Sequence, residues 1–218
     1  MIITRRAFTT MLSLTGLAAL AGLSPLRLIT DTMAQSPTDV AKPVSLPDMA
    51  LGPADAPVTI TEFASMTCPH CAAFNATVFP KIKSEYIDTG KIRYIFREFP
   101  LDVKALAGSM LARCIAKDDS GKYFAVVDLL FRQQNDWVVK NTTDTLTRIG
   151  KQAGFSQQQV EDCLKDQALM DKVSADQKYA GEVLKVNSTP TFFVNGEMIK
   201  GEASFEEFDK KIQSFLKS

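Results

Sequence analysis

The sequence predicts an α/β fold in which an all-helical insertion separates the two halves of one small sheet domain. A strand–helix–strand pattern over residues 58–96 predicts a βαβ unit, whose two strands should lie parallel. A strand–turn–strand–helix pattern over residues 191–216 predicts a hairpin followed by a helix. Between these two patterns, residues 102–185 have the periodicity of consecutive amphipathic helices.

Length and charge limit the classes of function. The chain has 218 residues, enough for one large domain or two small ones. Its 25 Lys and Arg residues balance its 25 Asp and Glu residues, and the basic residues form no run. The composition therefore indicates neither nucleic acid nor an acidic lipid surface as a partner.

Residues 1–34 have the anatomy of a cleavable export signal. Arg5 and Arg6 precede an apolar run, Met11 to Leu23, that is too short to span a bilayer comfortably. Small and polar residues follow, with a site suited to cleavage at 32–34. The paired arginines fit the twin-arginine route or the general secretory route, and an uncleaved membrane anchor is the alternative. We expect the mature protein to work outside the cytoplasm, where disulfides persist.

The first half of the sheet domain is predicted over residues 51–101. Residues 35–50, which precede it, are rich in Pro, Ser and Thr without apolar periodicity, and this predicts a flexible tether. The first strand is Val58–Ala64, where apolar and polar residues alternate, and the second is Lys91–Phe96. The helix between them begins at Pro69 and should be kinked where a second proline lies inside it.

The helical insertion and the second half of the sheet domain complete the chain. The insertion covers residues 102–185, where three or four helices with short connections should form a small bundle. The second half, residues 186–218, contains two strands, Thr191–Asn195 and Glu197–Lys200, joined by an Asn-Gly pair typical of a hairpin turn. A final helix over Phe205–Leu216 follows a serine cap.

The chemistry of the chain centres on Cys68-Pro69-His70-Cys71. If Cys68 directly precedes the helix, its sulfur faces unpaired backbone donors and the positive end of the helix dipole, which favour the thiolate. His70 can add a cationic or hydrogen-bonding contact to that sulfur. Cys71 lies three residues on, where it can form a disulfide with Cys68. A stabilised thiolate favours the reduced protein, so the oxidised form should pass its disulfide on readily.

A Cys-x-x-Cys pair also occurs as half of a structural zinc site, which normally needs two further Cys or His ligands. His70 is the only histidine of the chain, and Cys114 and Cys163 lie on separate predicted helices. The ligands are too few, so we expect neither a metal nor another cofactor. Cys114 and Cys163 are either buried, inert thiols or a second disulfide, and an oxidising compartment favours the disulfide.

Two more positions are candidates for the same site. Thr189-Pro190 precedes a strand, where a proline is unusual unless its peptide bond is cis. Glu62 lies on the first strand at even spacing from Ile60 and Ala64, so it can point inward. A buried carboxylate with a raised pKa can move protons for Cys71, whereas on a half-exposed strand Glu62 would be a surface residue.

The resemblance of the chain to a known family rests on two stretches, E-F-A-S-M-T-C-P-H-C (62–71) and T-P-T-F-F-V-N-G (189–196). With the helices between them, they resemble the DsbA-type thiol:disulfide oxidoreductases of the bacterial periplasm. The similarity runs from about Leu51 to Ser218 and implies a thioredoxin-like fold with an inserted all-helical bundle. It also implies roles for the site: Cys68 attacks, Cys71 resolves, Thr189-Pro190 contacts the substrate, and Glu62 is the buried acid.

The family resemblance predicts a periplasmic dithiol oxidase. Its substrates would be exported proteins with free thiols, and a membrane-bound, quinone-linked protein would reoxidise it. Residues 35–50 are too few to form the dimerisation segment of related isomerases, so we expect a monomer. Two alternatives stay open. One is a reductase or isomerase on the same fold, because Thr189 stands where the best-known oxidases have Val; the other is a periplasmic chaperone or metal-binding module, because fold alone permits binding functions.

Overall fold

A computed structural model describes residues 37–42 and 45–217, and the predicted export signal at 1–34 lies outside them. The strands in this part of the chain are β1 (Met49–Leu51), β2 (Val58–Ala64), β3 (Ile92–Glu98), β4 (Thr191–Val194) and β5 (Glu197–Lys200). They form one mixed sheet in the spatial order β1–β3–β2–β4–β5. Within the same residues, no helix has both the length and the apolar character needed to cross a membrane.

Pairing within the sheet gives the βαβ unit and the hairpin that the sequence predicts. β2 and β3 are parallel, with Val58 opposite Ile92, whereas β4 pairs antiparallel with both β2 and β5. Asn195 and Gly196 connect β4 to β5 and both have positive φ, 46° and 89°, as a type I′ turn requires. The Asn195 side chain accepts a hydrogen bond from the Thr59 amide at 2.8 Å, which ties the hairpin turn to β2.

The crossover helix between β2 and β3 is interrupted near its internal proline, as predicted. One helix ends before Val78 and another begins after it, because Pro80 has no N–H to donate to the carbonyl of Ala76. The described residues also contain two π-helical turns, Lys83–Ile87 and Asn135–Lys140. The described helices are α1 (Pro37–Ala41), α2 (Pro69–Thr77), α3 (Phe79–Ile82), α4 (Val103–Ala116), α5 (Ser120–Arg132), α6 (Thr142–Gln152), α7 (Gln157–Leu164), α8 (Gln167–Glu182) and α9 (Phe205–Leu216).

The prediction of a flexible tether over residues 35–50 is wrong for the described part of that segment. β1 pairs antiparallel with β3 at the edge of the sheet, and the Val40 side chain is buried. The Arg113 guanidinium donates to the Pro47 carbonyl at 2.7 Å and holds the chain just before β1. A three-residue strand is too short to show the alternation from which strands are predicted, and its formation depends on distant partners.

The helices α4–α8 lie between β3 and β4 in the chain and pack beside the cysteine motif. Cys114 in α4 and Cys163 in α7 are joined by a disulfide with a Cα–Cα distance of 6.2 Å. One buried cluster contains apolar side chains from α4–α7 and their connections, including Trp137, together with Cys68 and Cys71. Helices α4–α7 therefore form one wall around the sulfurs of Cys68 and Cys71.

Candidate active site

Cys68 and Cys71 lie at the start of α2. Cys68 is the N-cap residue, with φ −77° and ψ 120°, and Pro69 occupies the first turn, where its missing N–H leaves no helical hydrogen bond unmade. Both cysteines are free thiols; Cys68 is 5% exposed and Cys71 is 0% exposed. Another molecule can therefore reach the sulfur of Cys68 more readily than that of Cys71.

The surroundings of Cys68 favour its thiolate and lower its pKa to about 5. The largest cause is a hydrogen bond from the Cys71 thiol, and further donors are the Thr189 side chain and the backbone N–H groups of Cys71 and His70. Together they outweigh the desolvation of the sulfur, which raises the pKa. The helix start thus stabilises the thiolate, and the second cysteine of the motif is its strongest donor.

Cys71 has the opposite properties. Burial raises the pKa of its thiol far above the usual range, and the hydrogen bond to Cys68 and the nearby Glu62 carboxyl act in the same direction. At neutral pH the first sulfur is therefore a thiolate and the second is a thiol. A sulfur with a low pKa is the better leaving group in exchange, so the two cysteines differ in chemical role.

The loop beside Cys68 contains Thr189-Pro190, and the peptide bond between these two residues is cis. As a thiol, Cys68 donates from Sγ to the Thr189 carbonyl at 3.3 Å. The Thr189 hydroxyl is buried and has no hydrogen-bond partner among the described residues in this state, and the same group favours the Cys68 thiolate. It is a donor that gains a partner when Cys68 loses its proton. The Gly201 amide donates to the Pro190 carbonyl at 2.9 Å and ties this loop to the end of β5.

His70 forms an ion pair with Glu202, a residue that no sequence motif connects to the two cysteines. The imidazole Nδ1 is hydrogen-bonded to Oε1 of Glu202, and both side chains are largely exposed. This hydrogen bond and the charge of Glu202 raise the pKa of His70, and the negative charge of Cys68 adds to the increase. The backbone N–H of His70 therefore favours the Cys68 thiolate, the charge of Cys68 favours the protonated imidazole, and Nδ1 binds Glu202.

Glu62 is buried, with only 3% of its surface exposed, so the inward-pointing alternative is the one observed. Burial raises its pKa to about 8, a hydrogen bond from Tyr94 opposes the increase, and the charge of Cys68 adds to it. The Tyr94 hydroxyl donates to Oε2 at 2.5 Å, and Oε1 has no hydrogen-bond partner among the described residues. At neutral pH the site thus holds a protonated carboxyl, and Glu62 lies close enough to Cys71 for its charge, once it ionises, to raise the pKa of that thiol.

Two contacts from the helical insertion hold the turn before Cys68. The Gln134 amide donates from Nε2 to the carbonyls of Met66 and Cys68 at 2.9 and 3.0 Å. The Thr67 hydroxyl donates to the Asp102 carboxylate at 2.7 Å. Gln134 and Asp102 are ordinary polar residues in the sequence, and only these long-range contacts connect them to the motif. Across residues 37–42 and 45–217, no three His, Cys, Asp or Glu side chains are grouped as a metal ion would need.

Comparison with known proteins identifies the family. The family model described as Thioredoxin matches residues 45–214. A Rickettsia bellii protein named as a protein-disulfide oxidoreductase is 39% identical over 150 residues, which cover 68% of this chain and 57% of that protein. A Bacillus cereus protein named as disulfide bond formation protein D is 33% identical over 176 residues, which cover 77% of this chain and 78% of that protein.

A solved structure has the same architecture. The crystal structure of Wolbachia pipientis alpha-DsbA1 is similar with a TM-score of 0.75 and 32% identity, over 82% of this chain and 96% of that one. The match to the Rickettsia bellii protein, in contrast, spans little more than half of that protein's length. The family model covers the sheet domain and the insertion together, with the cysteine motif inside the match. The chain belongs to the DsbA-type proteins of the thioredoxin-like superfamily.

Proposed function

We propose that this chain catalyses thiol:disulfide exchange and acts as a dithiol oxidase, which passes a Cys68–Cys71 disulfide to substrate proteins. The observation that carries the proposal is the difference between the two sulfurs of the reduced form. A Cys68 pKa of about 5 stabilises the reduced protein at neutral pH, so reduction of the disulfide becomes more favourable. The raised pKa of Cys71 keeps the second sulfur protonated in that state.

The proposed exchange has two steps. In the first, a substrate thiolate attacks Cys68 Sγ of the oxidised protein, the Cys68–Cys71 bond breaks, and a mixed disulfide forms. Cys71 leaves as a thiolate and takes a proton from the carboxyl of Glu62, which becomes a carboxylate. In the second step, another substrate thiolate attacks the substrate sulfur of the mixed disulfide. The substrate disulfide forms and Cys68 leaves as its stabilised thiolate, so two electrons have passed from the substrate to the protein.

The Thr189-Pro190 loop is the substrate-contacting edge in this proposal. Its Thr189 carbonyl lies 3.3 Å from Cys68 Sγ, so a peptide that brings a sulfur to Cys68 must approach alongside this loop. The Thr189 hydroxyl, which favours the thiolate, assists the departure of Cys68 in the second step. The same residue therefore supports both the docking of the substrate and the release of the product.

We propose the periplasm as the location of this exchange. The prediction of an export signal at residues 1–34 supports it, as does the Cys114–Cys163 disulfide, because such bonds persist in oxidising compartments. The substrates are exported proteins with free thiols. A membrane-bound, quinone-linked protein returns the reduced chain to its oxidised form, as the resemblance to the family implies.

Trapping of the mixed disulfide tests the assignment of the two cysteines. Cys71→Ser should accumulate complexes with an unfolded, disulfide-bonded protein, because Cys68 attacks the disulfide and no second thiol resolves the product. Cys68→Ser is the matched control, since it also keeps one cysteine of the motif, and it should form none. Alkylation, non-reducing electrophoresis and mass spectrometry identify the linked residue. Complexes through Cys71 in the Cys68→Ser variant would overturn the assignment.

A further inference from the structure

Tyr94 is the hydrogen-bond partner of the buried acid, and it lies outside both the cysteine motif and the Thr189-Pro190 loop. Glu62 is on β2 and Tyr94 is on the neighbouring parallel strand β3, where it stands opposite Ile60. Both side chains are buried, with 3% and 1% of their surfaces exposed. The phenol O–H donates to Glu62 Oε2 at 2.5 Å. This buried carboxyl group therefore has a fixed donor on one of its two oxygens.

The ring of Tyr94 is held by aromatic neighbours. Its centroid lies 5.0 Å from that of Phe79 and 6.1 Å from that of Phe124, both in inclined arrangements that aromatic pairs prefer. The ring cannot swing away without breaking this packing, so its hydroxyl stays on Oε2 of Glu62. The other oxygen, Oε1, is buried and has no partner among the described residues. On Glu62, Oε1 is therefore the oxygen that no fixed donor occupies among the described residues.

The groups that face Glu62 from the surrounding elements are neutral or negative at neutral pH. Cys68 and Cys71 face it from the start of α2, Tyr94 from β3, and the charge of Glu62 also reaches Tyr123 on α5. Burial and the charge of Cys68 disfavour the carboxylate form of Glu62, and the Tyr94 hydrogen bond favours it. The phenol itself resists deprotonation, because burial and Glu62 raise its own pKa.

We propose that Tyr94 is a positioning residue for proton transfer between Glu62 and Cys71, because it occupies Oε2 and leaves Oε1 as the oxygen that exchanges the proton. The inference rests on the proposed function and deepens it. When Cys71 leaves as a thiolate, the proton moves from Oε1 of Glu62 to Cys71 Sγ, and the Tyr94 hydrogen bond stabilises the carboxylate that remains. In the reverse reaction Cys71 returns its proton to Oε1 before it attacks. The Tyr94 proton stays on the phenol throughout.

Tyr94→Phe tests this role, with Tyr123→Phe as the matched control. Tyr123 is also fully buried and also donates to a carboxylate at 2.5 Å, but that carboxylate is Glu98. The pKa of Glu62 is measured in the reduced protein by following its infrared carbonyl band as a function of pH. The band is assigned to Glu62 by its absence in Glu62→Gln. Tyr94→Phe should raise this pKa by roughly one to two pH units, since a hydrogen bond to a charged group is lost. The pH at which the exchange rate changes should move by the same amount, and Tyr123→Phe should leave both unchanged.

An unchanged Glu62 pKa in a folded Tyr94→Phe protein would overturn the proposal, as would an equal shift in Tyr123→Phe. If Tyr94→Phe does not fold, the infrared carbonyl band of Glu62 in the wild-type protein still tests the Tyr94–Glu62 hydrogen bond. A Glu62 carbonyl that accepts a hydrogen bond from the Tyr94 hydroxyl should absorb at a lower frequency than a buried carboxyl without a hydrogen bond. A band at the frequency of the carboxyl without a hydrogen bond would refute the Tyr94–Glu62 contact. Failure of the proposed function is distinguishable, because it would appear as an absence of mixed disulfides in Cys71→Ser, whatever the state of Tyr94.

Discussion

Acidification should lower the free energy of unfolding of the reduced protein, because part of that stability depends on the Cys68 thiolate. The pKa of Cys68 falls from a usual value of 9.0 to about 5 in the folded chain. Since the folded value is the lower one, the thiolate stabilises the folded, reduced protein fully above the unfolded pKa, and this contribution is lost as the pH falls through about 5. Between the two pKa values, each pH unit changes the free energy of unfolding by about 1.4 kcal/mol. From pH 7 to pH 4 the reduced protein should therefore lose about 2.7 kcal/mol through this group.

Denaturant unfolding at pH 7 and pH 4 measures this loss. The oxidised protein and the reduced Cys68→Ser variant are the controls, because neither has an ionisable sulfur at this position. Other carboxyl groups titrate in all three proteins, so the difference between the reduced protein and its controls isolates Cys68. Counting free thiols verifies that Cys114–Cys163 stays intact during reduction. An equal decrease in the free energy of unfolding of all three proteins between pH 7 and pH 4 would refute the assignment of a thiolate to Cys68.

Three substitutions test further parts of the site and of the fold. His70→Ser should raise the pKa of Cys68 and lower the reduction potential of the Cys68–Cys71 disulfide. The effect should be strongest at pH values below the raised pKa of His70, where the imidazole is charged. An unchanged titration of the Cys68 thiolate would remove His70 from the mechanism. Thr189→Val should raise the pKa of Cys68 by roughly one pH unit, because a hydrogen-bond donor to the thiolate is lost. Ultraviolet titrations of the thiolate that superimpose for the variant and the wild type would contradict this. Cys114→Ser should lower the free energy of unfolding of the oxidised protein by about 4 kcal/mol, because the bond closes a loop with a sequence separation of 49. Thermal melts that match the wild type would show that this bond does not stabilise the fold.

The features that the sequence predicts well are those that neighbouring residues determine. Pro69 can occupy only the start of a helix, so the position of Cys68 at the N-cap follows from the motif itself. Asn195-Gly196 requires a turn with positive φ, and this turn sets the register of the β4–β5 hairpin. The inward direction of Glu62 follows from alternation along β2 only if the strand is central, and the resemblance to a family was needed to favour it.

The features that the sequence does not predict depend on contacts between distant residues. β1 has three residues and no pattern of its own, and it exists because β3 has an edge free to pair. Tyr94 reads as one aromatic residue in a buried strand, and nothing local shows that its hydroxyl reaches Glu62. Gln134 and Glu202 approach the motif from 66 and 132 residues away, so side chains that look like ordinary surface groups become part of the site.

The reduction potential of the Cys68–Cys71 pair, measured against a glutathione buffer, tests most directly whether this protein is an oxidase. A stabilisation of the reduced form by about 2.7 kcal/mol at pH 7 raises the potential by about 60 mV over that of a pair with ordinary thiol pKa values. We predict that glutathione reduces the pair readily, with a potential above the roughly −220 to −260 mV of the cytosolic glutathione pool. A potential near the value of about −270 mV that is typical of thioredoxin would contradict this claim and indicate a reductase.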